Sequence, residues 1–295
     1  TAEALTDAGL TMEDIGNIVT VSNDFWDGRT ISSMAIGDAV GAAFGQGKNI
    51  STVEGDGAFG AFYGLARILS GSYQTTLVVA HSKASECDPH LIMNALYDPL
   101  YERALGADDV IAGALQAAAY RERYRLTGRE AAQVIVKNRK NASRNPKAHI
   151  RQELTLDEAL RSPAIASPLT AAGIRPLSDG AAAVILASED FAKRLNQKPV
   201  WVAGVSFCAD AYHLGDRDLS ESQALAKAAE RAYRQAGIRN PAEEIDVAEL
   251  SECFADQELI WSEALGFCAQ GDGARLVESG RTRPEGDLPI NPSGG

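Results

Sequence analysis

The sequence predicts an α/β fold layered on a largely parallel sheet, and three observations carry that expectation. Residues 1–80 alternate helical and β-rich stretches. Within them the run TTLVVA at 75–80 is continuously apolar, as a strand buried on both faces should be. After Asp179-Gly180 the alternation resumes, so two α/β sections flank a long, charged middle.

Each element has a local reason. Residues 2–8 have helical composition, and Gly9 is suited to close the helix. NIVTVS at 17–22 is β-rich and runs into the loop Asn23-Asp24-Phe25-Trp26-Asp27-Gly28. The Ala-rich stretch 31–44 has helical spacing. A short strand is expected at 49–53, a glycine turn at Glu54-Gly55-Asp56-Gly57, and a helix over 58–69 stopping at Gly71. The middle, 82–177, reads as mostly helical, with candidates at 112–125 and 129–141 joined by Thr127-Gly128. Beyond it, strands are expected at 181–187, 200–207 and 245–250. Helices are expected at 221–236, closed by Gly237, and at 256–265, closed by Gly266.

Composition narrows the function classes. The chain has 295 residues with 28 basic and 40 acidic side chains, a formal charge of −12. That balance argues against a broad nucleic-acid or anionic-lipid surface. At 45% hydrophobic residues the chain can bury a proper core. No apolar run of membrane-spanning length occurs. The four cysteines, Cys87, Cys208, Cys253 and Cys268, form no CxxC and no His-paired ligand spacing, so no metal site is expected. The chain opens at Thr1 inside a helical stretch and stops at Gly295 without a closing element, so both ends read as cut.

Three constellations could carry chemistry. The first is the turn at Glu54-Gly55-Asp56-Gly57, where a strand feeds a helix N-terminus. Free N–H groups and the positive dipole end favour an anion there, so Glu54 and Asp56 read either as helix caps or as acidic groups at an active turn. The second is Ser251-Glu252-Cys253-Phe254, at the carboxyl end of the expected 245–250 strand, where open α/β sheets place ligands. Within it, Cys253 reads as a packed thiol. The third is Asn291-Pro292-Ser293-Gly294-Gly295, irregular backbone able to approach a ligand closely. The dense basic run Lys137, Arg139, Lys140, Arg144, Lys147 reads either as a solvated helix end or as a phosphate contact. Of the four histidines only His81, which ends an apolar strand, is singled out, and a structural role is expected for it.

These pieces, in this order, resemble the thiolase superfamily, nearest to the sterol-carrier-protein-2-type thiolases. The segment Lys137-Asn138-Arg139-Lys140-Asn141-Ala142-Ser143-Arg144-Asn145-Pro146-Lys147-Ala148 looks like the family's K-x-x-x-N-A-x-x-N-P-x-A. Leu154-Thr155-Leu156-Asp157-Glu158-Ala159-Leu160, Ser167-Pro168-Leu169 and Ser178-Asp179-Gly180-Ala181-Ala182-Ala183 follow in the family's order. So do Glu252-Cys253-Phe254, Glu263-Ala264-Leu265-Gly266 and Asn291-Pro292-Ser293-Gly294-Gly295. The resemblance implies a five-layered αβαβα fold of two similar halves with an inserted helical loop domain. The expected boundaries are 1–81 with 178–188 for the first half, its first strand missing, 82–177 for the loop domain, and 189–295 for an incomplete second half. It also implies an acyl-CoA ligand, with the basic run near the CoA phosphates, and no cofactor beyond the coenzyme A thioester itself.

The resemblance breaks at the expected nucleophile. Counting back from Ser70-Gly71 puts Glu54 where the family has its acyl-accepting cysteine, with Gly57 on the motif glycine. Ser251 stands where the family has His or Asn, and a Gly-His-Pro motif would fall after Gly295. A carboxylate is a poor acyl acceptor from a thioester, so Glu54 is expected to act as a general acid/base, with Ser251 as its catalytic companion. Gly57, Asn291, Gly294 and Gly295 are the expected substrate-binding positions. The expected chemistry is carbon–carbon bond formation or cleavage on a CoA thioester, retro-aldol or decarboxylative, without an acyl-cysteine. A non-catalytic subunit of a heteromeric complex is the alternative, and a true thiolase the third reading. Expected partners are a second copy of the chain and a small zinc-ribbon/OB-fold subunit; the expected location is the cytoplasm.

Overall fold

The protein is described from a computed structural model covering residues 1–28, 32–42 and 47–295. In chain order its helices are α1 (Ala2–Ala8), α2 (Asp24–Asp27), α3 (Gly57–Leu69), α4 (Pro89–Ala95), α5 (Asp109–Tyr124) and α6 (Arg129–Ser143). They continue with α7 (Leu156–Leu160), α8 (Glu189–Ala192), α9 (Gln223–Ala236), α10 (Pro241–Glu244), α11 (Ala255–Ala264) and α12 (Gly273–Glu278). The strands are β1 (Asn17–Ser22), β2 (Asn49–Glu54), β3 (Thr75–Ser82), β4 (Ala164–Ala166), β5 (Leu169–Thr170) and β6 (Gly180–Ala187). The chain divides into two compact units, Thr1–Ile92 with Leu177–Trp201, and Met93–Pro176 with Val202–Gly295.

The first unit is an α/β layer. Its sheet runs β2-β1-β3-β6, with β1 parallel to both neighbours and β6 antiparallel to β3. All six residues of β1 are buried, which is why this central strand reads as an unbroken β-rich run. The period of two splits the core between the faces. Ile18, Leu77 and Val79 join Ile15 and Val40 on one side, while Val19, Val21 and Val78 meet on the other. Helix α3 packs closely on the latter side, since a Cβ added at Gly60 would lie 2.1 Å from Val21 Cγ2.

The second unit is mainly helical. Its core joins Tyr120 of α5, Val134 and Ile135 of α6, Leu259 and Ile260 of α11 and Val277 of α12. Buried polar groups fix the crossings. Tyr120 donates its hydroxyl proton to the Glu263 carboxylate, which also accepts the Gly273 N–H at 2.9 Å. Arg121 forks onto Asp256 at 2.6 and 2.8 Å, the bidentate geometry that suits a guanidinium. A short antiparallel hairpin, β4–β5, interrupts the helices in the middle section that the sequence reads as mostly helical.

Three expected elements differ. The expected helix over 31–44 is replaced by a 3-10 turn at Ser32–Ile36 followed by tight turns, with Gly41 at φ 78°. Residues 29–31 and 43–46 lie outside the described residues. The expected strand over 200–207 has no strand partner among the described residues. Instead the Gln235 side chain of α9 bonds both the N–H and the carbonyl of Val205, at 3.1 and 3.0 Å. The expected strand over 245–250 reduces to one parallel bridge, Ala248 to Ile290. A β-rich sequence becomes a strand only where a neighbour completes its ladder, and those neighbours are not local in sequence. Among the described residues no helix is long and apolar enough to cross a membrane.

Replacing Gly60 with Ala is expected to cost about 1–3 kcal/mol, because the new methyl collides with Val21 in a packed layer. Urea unfolding of Gly60→Ala beside wild type measures it; equal midpoints would show that α3 lies farther from the sheet.

Candidate functional site

The expected site residues fall in both units, and each group is described in its own. In the first unit, β2 ends at Glu54 and α3 opens at Gly57. Gly55 makes the turn at φ 134°, a backbone region that favours glycine, while its N–H donates to the Ser22 carbonyl at 2.9 Å. Asp56 is the helix cap and accepts from the N–H groups of Ala58 and Phe59 at 3.0 and 3.1 Å. Glu54 does not cap α3. Its two carboxylate oxygens accept the Asp24 N–H at 3.0 and 3.1 Å, so the exposed side chain is held against the first residue of α2. His81 is half-buried near the end of β3, in register with Ala181 of β6.

In the second unit Ser251 is exposed, and the residue after it enters a buried polar cluster. Glu252 and Glu258 are buried together with Lys137, Asn138 and Asn291. Asn138 Nδ2 donates to Glu252 Oε1 at 3.2 Å and to Glu258 Oε2 at 2.9 Å. Asn291 Nδ2 donates to the same two oxygens at 2.6 and 3.0 Å. Each carboxamide thus spends both hydrogens bridging the carboxylates. Lys137 Nζ sits 2.9 Å from Glu258 Oε1 and donates to the Ile290 carbonyl at 2.6 Å.

The cluster holds two acidic groups and one ammonium, so one carboxyl carries the imbalance. Burial and the neighbouring Glu258 charge push the Glu252 carboxyl up to about 7, against the opposing pull of the Asn291 hydrogen bond and Lys137. Its Oε2 is buried with no hydrogen-bond partner among the described residues.

The same cluster shapes the glycine segment. Asn291 adopts φ 52°, a left-handed conformation that Asn tolerates, and its Oδ1 accepts the Leu250 N–H at 2.6 Å. Along one face of α6 and its continuation, Lys137, Asn141 and Asn145 donate to the carbonyls of Ile290, Asn291 and Ser293. Gly294, at φ 126°, passes so close that an added Cβ would lie 2.8 Å from Ala142 Cα. A Cβ on Gly295 would lie 2.4 Å from Asn138 Nδ2. So Asn291, Gly294 and Gly295 come together here, beside a carboxylate pair that the sequence reading passed over.

The basic run divides. Lys137 faces the interior in an ion pair, contrary to its reading as part of an exposed positive cluster, while Lys140, Arg144 and Lys147 remain exposed. Burial pushes the thiols of Cys253 and Cys268 up, the latter to about 12, so both are held as protonated, weakly nucleophilic thiols.

The raised Glu252 group has a signed consequence. The folded state binds this proton more tightly than the unfolded chain, so its stabilisation is complete below the ordinary carboxylate range and is lost as pH rises through about 7. Stability should fall by roughly 3 kcal/mol between pH 4.5 and 7.5 from this group. Glu252→Gln, which keeps the accepting oxygen, should flatten that part of the curve. Urea unfolding at a series of pH values checks it, and parallel curves for the two proteins would remove Glu252 as the titrating group.

Residues 207–295 match the thiolase C-terminal domain-like family. An acetyl-CoA acetyltransferase of Methanothermobacter thermautotrophicus is 29% identical over 99% of this chain and 79% of its own. Sterol carrier protein 2 of Bos taurus is 39% identical over 59% of this chain and 33% of its own, so the chain spans only about a third of that relative. Among solved structures, the Ltp2-ChsH2(DUF35) aldolase superposes with a TM-score of 0.81 at 23% identity, over 99% of this chain and 76% of that one. Human mitochondrial 3-ketoacyl-CoA thiolase superposes with a TM-score of 0.67 at 17% identity, over 95% of this chain and 84% of that one. Residues 207–295 thus carry the thiolase C-terminal domain-like pattern, and the chain as a whole is similar in sequence and fold to thiolase-superfamily proteins.

Proposed function

We propose that this protein makes or breaks a carbon–carbon bond next to a coenzyme A thioester without forming an acyl-cysteine. The observation that carries the reading is the strand–turn–helix at Glu54–Gly57, which presents a carboxylate and no thiol. A thiolase needs an activated cysteine, and burial holds Cys253 and Cys268 away from the thiolate form. The aldolase among the structural neighbours supports the same reading.

In the retro-aldol direction the substrate is a β-hydroxyacyl-CoA. Glu54, as general base, takes the β-hydroxyl proton. The Cα–Cβ bond breaks, the β-carbon leaves as a ketone or aldehyde, and the electron pair passes to the thioester as an enolate. Protonation at Cα then gives the shortened acyl-CoA. Gly57, in the same turn as Glu54, leaves room beside the carboxylate for the substrate. Decarboxylation of a thioester that carries its carboxylate on Cα would reach the same enolate, with CO2 as the leaving group. The assembly in this reading is a cytoplasmic homodimer. The position of β2 at the end of the sheet order supports that, since an edge strand offers its free side to another copy.

The second reading is a non-catalytic subunit, favoured by the DUF35 component in the aldolase described above. One experiment separates them. The full-length protein is incubated with acetyl-CoA and followed by intact mass, then assayed for cleavage of β-hydroxyacyl-CoA esters beside Glu54→Gln. The proposal expects no cysteine adduct and a loss of about 10²–10⁴-fold in turnover for Glu54→Gln. A stable acyl-cysteine, or turnover indifferent to Glu54→Gln, would overturn it. Turnover that appears only when a zinc-ribbon/OB-fold subunit is added, and is indifferent to Glu54→Gln, would establish the second reading.

A further inference from the structure

A cleft of about 470 Å³ lies within the second unit, and its lining is amphipathic. Val136 of α6, Leu156 of α7, Val277 of α12 and Pro284 give it apolar walls. Lys140, Arg144 and Arg283 stand on it as exposed cations, with Glu278 and Glu285 as the acidic members. Arg144 is engaged with Glu285 at 3.4 Å, whereas Lys140 and Arg283 have no ion-pair partner among the described residues. On the acidic lip a backbone hydrogen bond first, then the Arg144 hydrogen bond and the charges of Arg144 and Lys140, hold Glu285 below the usual carboxylate range. In a chain with twelve more acidic than basic residues, three exposed cations on one cleft against two carboxylates are a local exception.

A further observation points to a ligand. Gln133 lines the cleft, and its Oε1 is buried with no hydrogen-bond partner among the described residues. A buried carbonyl oxygen without a donor costs about 1–3 kcal/mol, which a ligand N–H or O–H would recover. The wall behind the cleft is anchored, because Lys137 is tied to Glu258 and Ile290, and Asn141 to Asn291. A volume of this size suits a small molecule rather than a single ion.

We propose that this cleft is a binding site for a small amphipathic oxyanion, a phosphate or carboxylate head carrying a short apolar chain and a hydrogen-bond donor. The head lies between Lys140 and Arg283, the chain rests on Val136, Leu156 and Val277, and the donor meets Gln133 Oε1. The site uses neither Glu54 nor Ser251, so it stands or falls apart from the carbon–carbon chemistry.

The probes are n-hexyl phosphate, hexanoate and inorganic phosphate, titrated into the full chain by calorimetry, with methyl NMR of Val136, Leu156 and Val277 as locator. Hexyl phosphate or hexanoate should saturate a single site and shift those methyls, at least tenfold tighter than inorganic phosphate. Whichever of the two binds tighter identifies the head group. The double change Lys140→Glu with Arg283→Glu should weaken binding at least tenfold. Lys193→Glu with Lys227→Glu, the same charge change elsewhere, should leave it within twofold. Absence of saturable binding, methyl shifts confined to other residues, or equal weakening by the two double variants would each overturn the proposal.

Discussion

Two carboxyl groups sealed in one interior pocket with a single ammonium set the terms for the second unit. Glu252 and Glu258 lie where water cannot screen them, and an uncompensated buried charge is strongly destabilising. Lys137 compensates one of them, and the carboxamides of Asn138 and Asn291 bridge both. Because those partners come from α6, from α11 with its approach, and from the 288–295 segment, the three pieces are held by one shared requirement. Moving any of them would leave a buried charge or amide unpaired.

The requirement explains an otherwise irregular piece of backbone. The segment from Ile290 to Gly295 has almost no ladder of its own, only the bridge to Ala248. Its carbonyls are instead taken by side chains spaced four residues apart, Lys137, Asn141 and Asn145, so that α6 serves as a template for a non-helical, non-sheet strand. Glycine is required at 294 because the chain there runs against the backbone of Ala142. Further support comes from Ser293, whose N–H and hydroxyl both donate to Glu249, at 2.9 and 2.7 Å. A segment fixed in this way can present backbone groups in a set position without a flexible loop's entropy cost.

How legible this was in the sequence depends on where the partners lie. Strands β1 and β3 and helices α3 and α6 were readable to within a few residues, because burial on one or both faces writes its period locally; β6 and α9, largely exposed, were readable from an apolar run and an amphipathic pattern. The turn at Glu54–Gly57 was readable for the same reason: strand, glycine turn and capping Asp56 are consecutive. The expected strands at 200–207 and 245–250 were not, since their ladders needed neighbours that the local sequence does not supply. The buried cluster is not legible in the same way, because Lys137 reads as one member of the basic run. A signal was present. Lys137, Asn138 and Asn141 recur at the helical spacing of Val134, so polar residues occupied core positions of α6 and called for buried partners.

The central claim is that α6, the 252–258 region and the 288–295 segment form one cooperative unit through Asn291. Hydrogen exchange followed by mass spectrometry on wild type and Asn291→Ala tests it most directly. Loss of the carboxamide should accelerate exchange in peptides from 248–258 and 288–295 together, by tenfold or more, while peptides from β1 and β3 keep their wild-type rates. Acceleration confined to 288–295, with 248–258 unchanged, would contradict the claim.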